Sequence, residues 1–221
     1  MGPPMLRILE PEIKDSDQAR AYVSTDFSAS NQFFVDELLK DYSDTLQNVI
    51  DIGCGPCDAM LRLAHARPHI RITAIDGSAA MIQLALEAVR SAGHQGRISP
   101  VQGYIPGLPL DEQSFDGILS KYLLHHLPDP MVLWSEARRL GKAGAVIYVM
   151  DLIRPATPER ARQIVEAVTP DEHPILKDDF FNSLCAAFTI EEVTSQLREA
   201  ALPLKVVQIS SLHMLIKGTL C

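Results

Sequence analysis

Residues Asn48 to Gly55 read NVIDIGCG, a short apolar strand that carries an acid, Asp51, and runs straight into a glycine turn. The next apolar run, Ile70 to Ile75, ends on Asp76. A glycine turn lets backbone approach a ligand closely. An acid at the tip of the neighbouring strand can accept both hydroxyls of a ribose. Together they point to a nucleoside-type cofactor. A dinucleotide fingerprint would place a third glycine where Asp58 stands. A carboxylate at that helix start would repel a pyrophosphate, so a cofactor without phosphates fits better.

A second constellation is Cys54 and Cys57, which with Gly55 and Pro56 spell the thioredoxin redox tetrapeptide at a helix start. A thiol there can have a lowered pKa. Gly53, Gly55 and Asp76 have no role in such a site, so thiol–disulfide exchange is the alternative and not the main reading. Further on, His125 and His126 follow an apolar strand, and Asp151 ends the next one. These can move protons. No Asp or Glu stands at metal-ligand spacing to the histidines, so no metal is expected.

The elements that must position these residues alternate. Strands are expected at 48–52, 70–75, about 97–102, 115–120 and 145–150. Helices are expected from about Asp58 to Arg67, from Ser78 to Gly93 and from Asp129 to about Leu140. Pro100 lacks a ladder donor and makes the third strand an edge strand. Ser16 to Lys40 reads as helix, break, helix, with Asn31 as a cap and Phe33, Phe34, Glu37 and Leu38 near one face. Thr189 to Glu192 is a capping box, and 206–209 with 213–217 read as a closing hairpin. The fold class is α/β, a doubly wound sheet with helices on both faces. The chain reads as one domain, 1–221, with residues 1–47 as an N-terminal helical lid and 152–188 as a helical insert over the site.

The chain has 221 residues, enough for one such domain, with 47% hydrophobic and 22% charged residues. A net charge of −8 argues against non-specific nucleic-acid binding. No run is long and apolar enough for a membrane span, and the N-terminus lacks a signal-peptide pattern, so a cytoplasmic location is expected.

Asp51, Gly53 and Gly55 followed by Asp76 resemble motif I and the ribose acid of class I S-adenosylmethionine-dependent methyltransferases. Ser114 to Ser120 and Leu124 to Asp129 are similar to that family's fourth strand and the segment after it, so the resemblance covers 48 to about 151. Its general look is that of the methyltransferase type 11 group, the ubiquinone/menaquinone-biosynthesis type. The resemblance implies a Rossmann-like seven-stranded sheet of order 3-2-1-4-5-7-6, the last strand antiparallel. It implies S-adenosylmethionine as cofactor, with Asp51 orienting the methionine amino group and Gly53, Cys54 and Gly55 forming the loop. Asp76 would hold the ribose, and Gly77, Ser78, Met81, Gly103 and Ser120 would lie around the cofactor. Cys57 replaces the loop's usual third glycine. Tyr104 stands where the family commonly has an adenine-binding acid. His125, His126 and Asp151 are the candidate catalytic residues, and Tyr22 belongs to a lid with the Phe27–Phe34 stretch. The implied function is methyl transfer to a small-molecule acceptor by a monomer or homodimer. A non-catalytic cofactor-binding subunit is the other alternative. The absence of an Asn-Pro-Pro-Tyr-type motif after the fourth strand turns the reading away from adenine methylation in nucleic acid.

Overall fold

The computed structural model describes residues 5–10, 26–42 and 44–221. Seven strands form one sheet: β1 Asn48–Ile52, β2 Arg71–Asp76, β3 Ile98–Gln102, β4 Phe115–Lys121, β5 Gly141–Leu152, β6 Lys205–Gln208 and β7 His213–Thr219. Their order is β3-β2-β1-β4-β5-β7-β6. β1 to β5 pair in parallel, and β7 runs antiparallel to both β5 and β6. Pro100 lies on the edge strand β3, where a missing donor costs no ladder bond on the open side.

Seven helices are described: α1 Ser28–Tyr42, α2 Asp58–Ala66, α3 Ala79–Ser91, α4 Met131–Leu140, α5 Pro158–Val168, α6 Pro174–Ala186 and α7 Ile190–Glu199. The period-2 alternation along each strand splits the core into two layers. Val49, Ile72, Ala74, Leu119, Val146, Tyr148 and Leu215 point to one face, where Phe34, Val35 and Leu38 of α1, Met60 and Leu63 of α2 and Ala85 and Val89 of α3 cover them. Ile50, Ile75, Ile118, Ile147, Val149 and Ile216 point to the other face, under Trp134 and Ala137 of α4 and Val193 and Leu197 of α7. Each fully buried large apolar side chain contributes about 1.5–3 kcal/mol.

The start of α1 departs from the sequence expectation. The helix begins at Ser28, whose N–H donates to Asp26 Oδ1 at 2.8 Å. Asn31 lies inside the helix, and its amide donates to Asp58 Oδ2 at 2.8 Å instead of capping. The buried stripe is Phe34, Val35 and Leu38, and Phe33 is exposed. Elsewhere the caps fall as the residue types dictate. Ser78 Oγ accepts from Met81 N–H, Gly93 ends α3 with φ 71°, and Thr189 with Glu192 forms a complete capping box.

α5 and α6 follow β5 and pack on each other through Ala161, Ile164, Val165 and Leu184, with Leu152 at the end of β5 among them. The segment Met5–Glu10 is tied down beside them. Arg7 donates to Ala186 O at 2.6 Å and to His125 O and Leu127 O at 2.8 Å, and its guanidinium lies 4.0 Å from the Phe188 ring centre. Among the described residues no helix is long and apolar enough to cross a membrane.

Candidate active site

β1 pairs with β2 on one side and β4 on the other, and the chain's winding reverses there. In open α/β sheets ligands bind at this switch point, beyond the carboxyl ends of the strands. Asp51, Asp76, Lys121 and Asp151 all stand at or near those ends.

The glycine loop is shaped by backbone bonds to β2. Gly53 and Cys54 N–H both donate to Ile75 O, at 2.8 and 2.9 Å. Gly53 has φ 83°, and a side chain there would press to 2.9 Å from Leu123 Cβ, so only glycine fits. Gly55 has φ 52° and open space where a side chain would be. Cys57, also left-handed at φ 74°, immediately precedes α2. Its backbone conformation is one that favours glycine, in keeping with a cysteine that replaces the loop's usual third glycine.

Asp76 is engaged on both oxygens. Oδ1 accepts from Ser78 N–H and Oδ2 from Gly55 N–H, each at 2.8 Å. Burial nonetheless raises its pKa, against these bonds and the nearby His126 charge. Asp51 differs. It is buried, its Oδ1 has no hydrogen-bond partner, and it borders a cavity of about 60 Å³ shared with Gly53, Gly55, Phe27, Asn31 and Lys121. Burial, then the Asp76 charge, push its pKa up to about 7, and Lys121 opposes them. Lys121 is itself lowered to about 7 by burial, against the charges of Asp51, Asp151 and Asp58. Its ammonium lies 3.7 Å from the Tyr122 ring centre.

Beside this small cavity is a larger one of about 340 Å³, lined by residues of α1, the Leu124–His126 turn, α5, α6 and the start of β7. Its walls are mostly apolar, among them Phe27, Leu152, Leu176 and Phe180. Tyr122 hydroxyl lies 2.9 Å from Ser30 Oγ and 2.8 Å from His213 Nε2, tying α1 to β7 across the cavity. His125 is buried, with Nδ1 2.7 Å from Asp151 Oδ1. Burial lowers the His125 pKa, but Asp151 and Glu10 outweigh it and the net shift is upward. Asp151 Oδ1 also accepts from Leu152 N–H at 2.7 Å. His126 stacks on His125 with ring centres 4.2 Å apart and is part exposed.

Residues 50–149 match the family described as "Methyltransferase domain". The demethylmenaquinone methyltransferase of Staphylococcus haemolyticus is 29% identical over 110 residues, 49% of this chain and 45% of that relative. The chain spans about half the length of the curated relatives it matches. Over residues 50–149 the chain is thus similar to S-adenosylmethionine-dependent methyltransferases. Two solved structures share its fold. One is an S-adenosylmethionine-dependent methyltransferase from Aquifex aeolicus, with TM-score 0.71 and 18% identity over 94% of this chain and all of that one. The other is a putative S-adenosyl-L-methionine-dependent methyltransferase from Methanococcus maripaludis, with TM-score 0.73 and 21% identity over 97% and 98%.

The donor set of the methyltransferase domain fits this cofactor. The unpartnered Asp51 oxygen is suited to an ammonium, and a carboxylate on the β2 tip has lone pairs left for ribose hydroxyls. Asp58, at the helix start beside the loop, puts a carboxylate where a pyrophosphate would sit and is held by Asn31 and by Arg62, each at 2.8 Å.

The other sequence candidates separate. Gly77 lies under the Tyr104 ring, since a side chain at Gly77 would meet Tyr104 Cε1 at 2.7 Å, and Tyr104 itself is 70% exposed. Gly103 leaves room for Leu108 and Ile75. Met81 is buried, and Ser120 Oγ donates to Ile52 O at 2.7 Å, so its hydroxyl is spent on the sheet. Tyr22 lies outside the described residues. Phe34 belongs to the core, 5.4 Å from the Tyr148 ring, whereas Phe27 and Ser30 line the cavity. The Cys57 thiol raises the Cys54 pKa, as does burial, and Cys57 is itself buried. A neutral thiol is a poor nucleophile, which weighs against the redox alternative.

Sequence reasoning missed Lys121, Glu10, Tyr122 and His213. Lys121 directly follows Ser120 and carried no motif. Glu10 lies far away in sequence, yet its Oε2 is 3.0 Å from His126 Nδ1 and 3.6 Å from His125 Nε2.

Proposed function

We propose that the protein transfers a methyl group from S-adenosylmethionine to a small, largely apolar acceptor. The observation that carries this reading is the buried Asp51 oxygen, unpartnered and facing a small cavity next to a larger apolar one. When bound, the cofactor supplies the electrophilic methyl carbon. Asp51 accepts from its ammonium, Asp76 from its ribose hydroxyls, and the Tyr104 ring with Gly103, Ser78 and Met81 borders the adenine. Gly53, Cys54 and Gly55 let the backbone approach, as does the chain at Gly77 and Ser120.

The larger cavity takes the acceptor. Phe27 and Ser30 of the N-terminal part act as a lid and 152–188 as a cover that keeps water out, which aligns the acceptor for displacement. For an acceptor that must lose a proton, the His125–Asp151 pair provides the base. Asp151 fixes the Nδ1–H tautomer and leaves Nε2 for the proton, with His126 beside it. The name of the Staphylococcus relative makes quinone-like phenols the first compounds to try.

A screen of small acceptors with purified protein tests the reading by following S-adenosylhomocysteine. Acceptor-dependent formation that falls in Asp76→Ala supports it. Cofactor binding with no turnover across phenols, amines, thiols and enolisable ketones would favour a non-catalytic subunit instead.

A further inference from the structure

Glu10, His125 and His126 bring three donor atoms together on the wall of the larger cavity. Glu10 Oε2, His125 Nε2 and His126 Nδ1 all lie within 4.8 Å of one another. Two of the separations are 3.0 and 3.6 Å. Donors bound at about 2.0–2.2 Å to one ion stand about 3.0–3.6 Å apart in octahedral or tetrahedral geometry. Both separations from Glu10 fall in that range.

The Glu10 oxygen is the second, independent observation. Its side chain is 93% buried, as 7% is exposed. Oε2 points at both rings, and its only partners there are the two histidine nitrogens, His126 Nδ1 at 3.0 Å and His125 Nε2 at 3.6 Å. The donors are also held from behind, as metal ligands are. His125 Nδ1 is fixed by Asp151 Oδ1 at 2.7 Å, so Nε2 is the nitrogen turned toward Glu10. Glu10 Oε1 accepts from Ser183 Oγ at 2.9 Å. The Arg7 bonds to His125 O and Leu127 O pin the Met5–Glu10 segment against the same turn that carries both histidines. Three protein donors on one side and a cavity on the other leave coordination positions open.

We propose that Glu10, His125 and His126 bind a divalent first-row transition metal, with its open positions facing the acceptor cavity. Two imidazoles and one carboxylate are borderline donors, suited to Zn²⁺, Co²⁺ or Fe²⁺ and poorly suited to Ca²⁺ or Mg²⁺. A bound ion occupies the lone pair that the base role of His125 requires. It puts a Lewis acid there instead, able to bind an acceptor oxygen and favour its deprotonated form. This step rests on the acceptor-cavity reading above, but the binding itself does not.

The test is titration of the full chain, stripped with a chelator, with Co²⁺, read by visible absorption. One equivalent giving ligand-field bands without a thiolate charge-transfer band is expected. Glu10→Ala and His126→Ala should each weaken binding at least tenfold, and Cys54→Ser/Cys57→Ser should leave it unchanged. A spectrum dominated by thiolate, binding unaltered in both histidine-cluster variants, or no stoichiometric binding to the wild type would overturn the proposal. S-adenosylmethionine affinity, measured on the same samples, reports folding and tests the methyltransferase reading separately. A protein that binds the cofactor but not Co²⁺ defeats only the metal site.

Discussion

Cofactor affinity should fall steeply as pH drops below neutrality, because Asp51 must give up a proton to accept an ammonium. In the free protein, burial and then Asp76 raise its pKa from 3.8 to about 7. Each pH unit below that value leaves a tenfold smaller fraction of carboxylate, a cost of about 1.4 kcal/mol in binding. Between about pH 7 and 5.5 the dissociation constant should therefore rise roughly 16-fold. Lys121, lowered to about 7 mainly by burial, gains its proton over the same range and sets a second cation beside a cationic ligand. The same charge also favours the Asp51 carboxylate, so Asp51 sets the slope, which approaches one decade per unit below about pH 6. Calorimetric titrations in pairs of buffers with different ionisation enthalpies check this, since binding near neutrality should release protons. Asp51→Asn should bind more weakly above pH 8 and show a flattened profile. An affinity constant within twofold from pH 5.5 to 8, or a profile equal to that of Asp51→Asn, would refute the assignment of the buried carboxylate.

Three further outcomes follow from the geometry. Gly53→Ala should cost about 2 kcal/mol or more, from the left-handed backbone and the contact at Leu123, and lower the melting temperature by about 4–8 °C. An unchanged melting curve would mean that the loop is not held as described. Lys121→Met should move the midpoint of the cofactor pH profile upward, because the Lys121 charge is what lowers the Asp51 pKa. A downward shift in a titration series would contradict that coupling. Tyr122→Phe should cost about 1–2 kcal/mol in denaturant unfolding by leaving His213 Nε2 and Ser30 Oγ short of a partner. It should raise the KM for acceptor more than the Kd for cofactor, and the reverse order would move Tyr122 out of the acceptor cavity.

The fold was legible where local chemistry and periodicity agree. Pro100 announced an edge strand, and the apolar residues 145–150 announced a strand; the structure has both. The glycine turn and the acid at the tip of β2 were legible because left-handed backbone demands glycine, and the structure has Gly53 and Gly55 at positive φ with Gly55 N–H bonded to Asp76. The start of α1 was not, because Asn31 is as good a cap as Ser28 or Asp26 by type. Its amide instead bonds to Asp58, a tertiary partner. Glu10 was invisible for the same kind of reason. A carboxylate brought to two histidines by the Arg7 anchors leaves no spacing signal in the sequence. Lys121 carried no signal either, since a lysine after a strand is ordinarily a solvated end. Its ammonium instead lies between the rings of Phe27, at 5.7 Å, and Tyr122, at 3.7 Å.

The most direct measurement is calorimetric titration of purified protein at pH 8 with S-adenosylmethionine and, in parallel, with NADH, using Asp76→Ala as control. The account predicts micromolar binding of the sulfonium compound alone, lost or greatly weakened in the variant. Absence of that binding, or a preference for NADH, would contradict it.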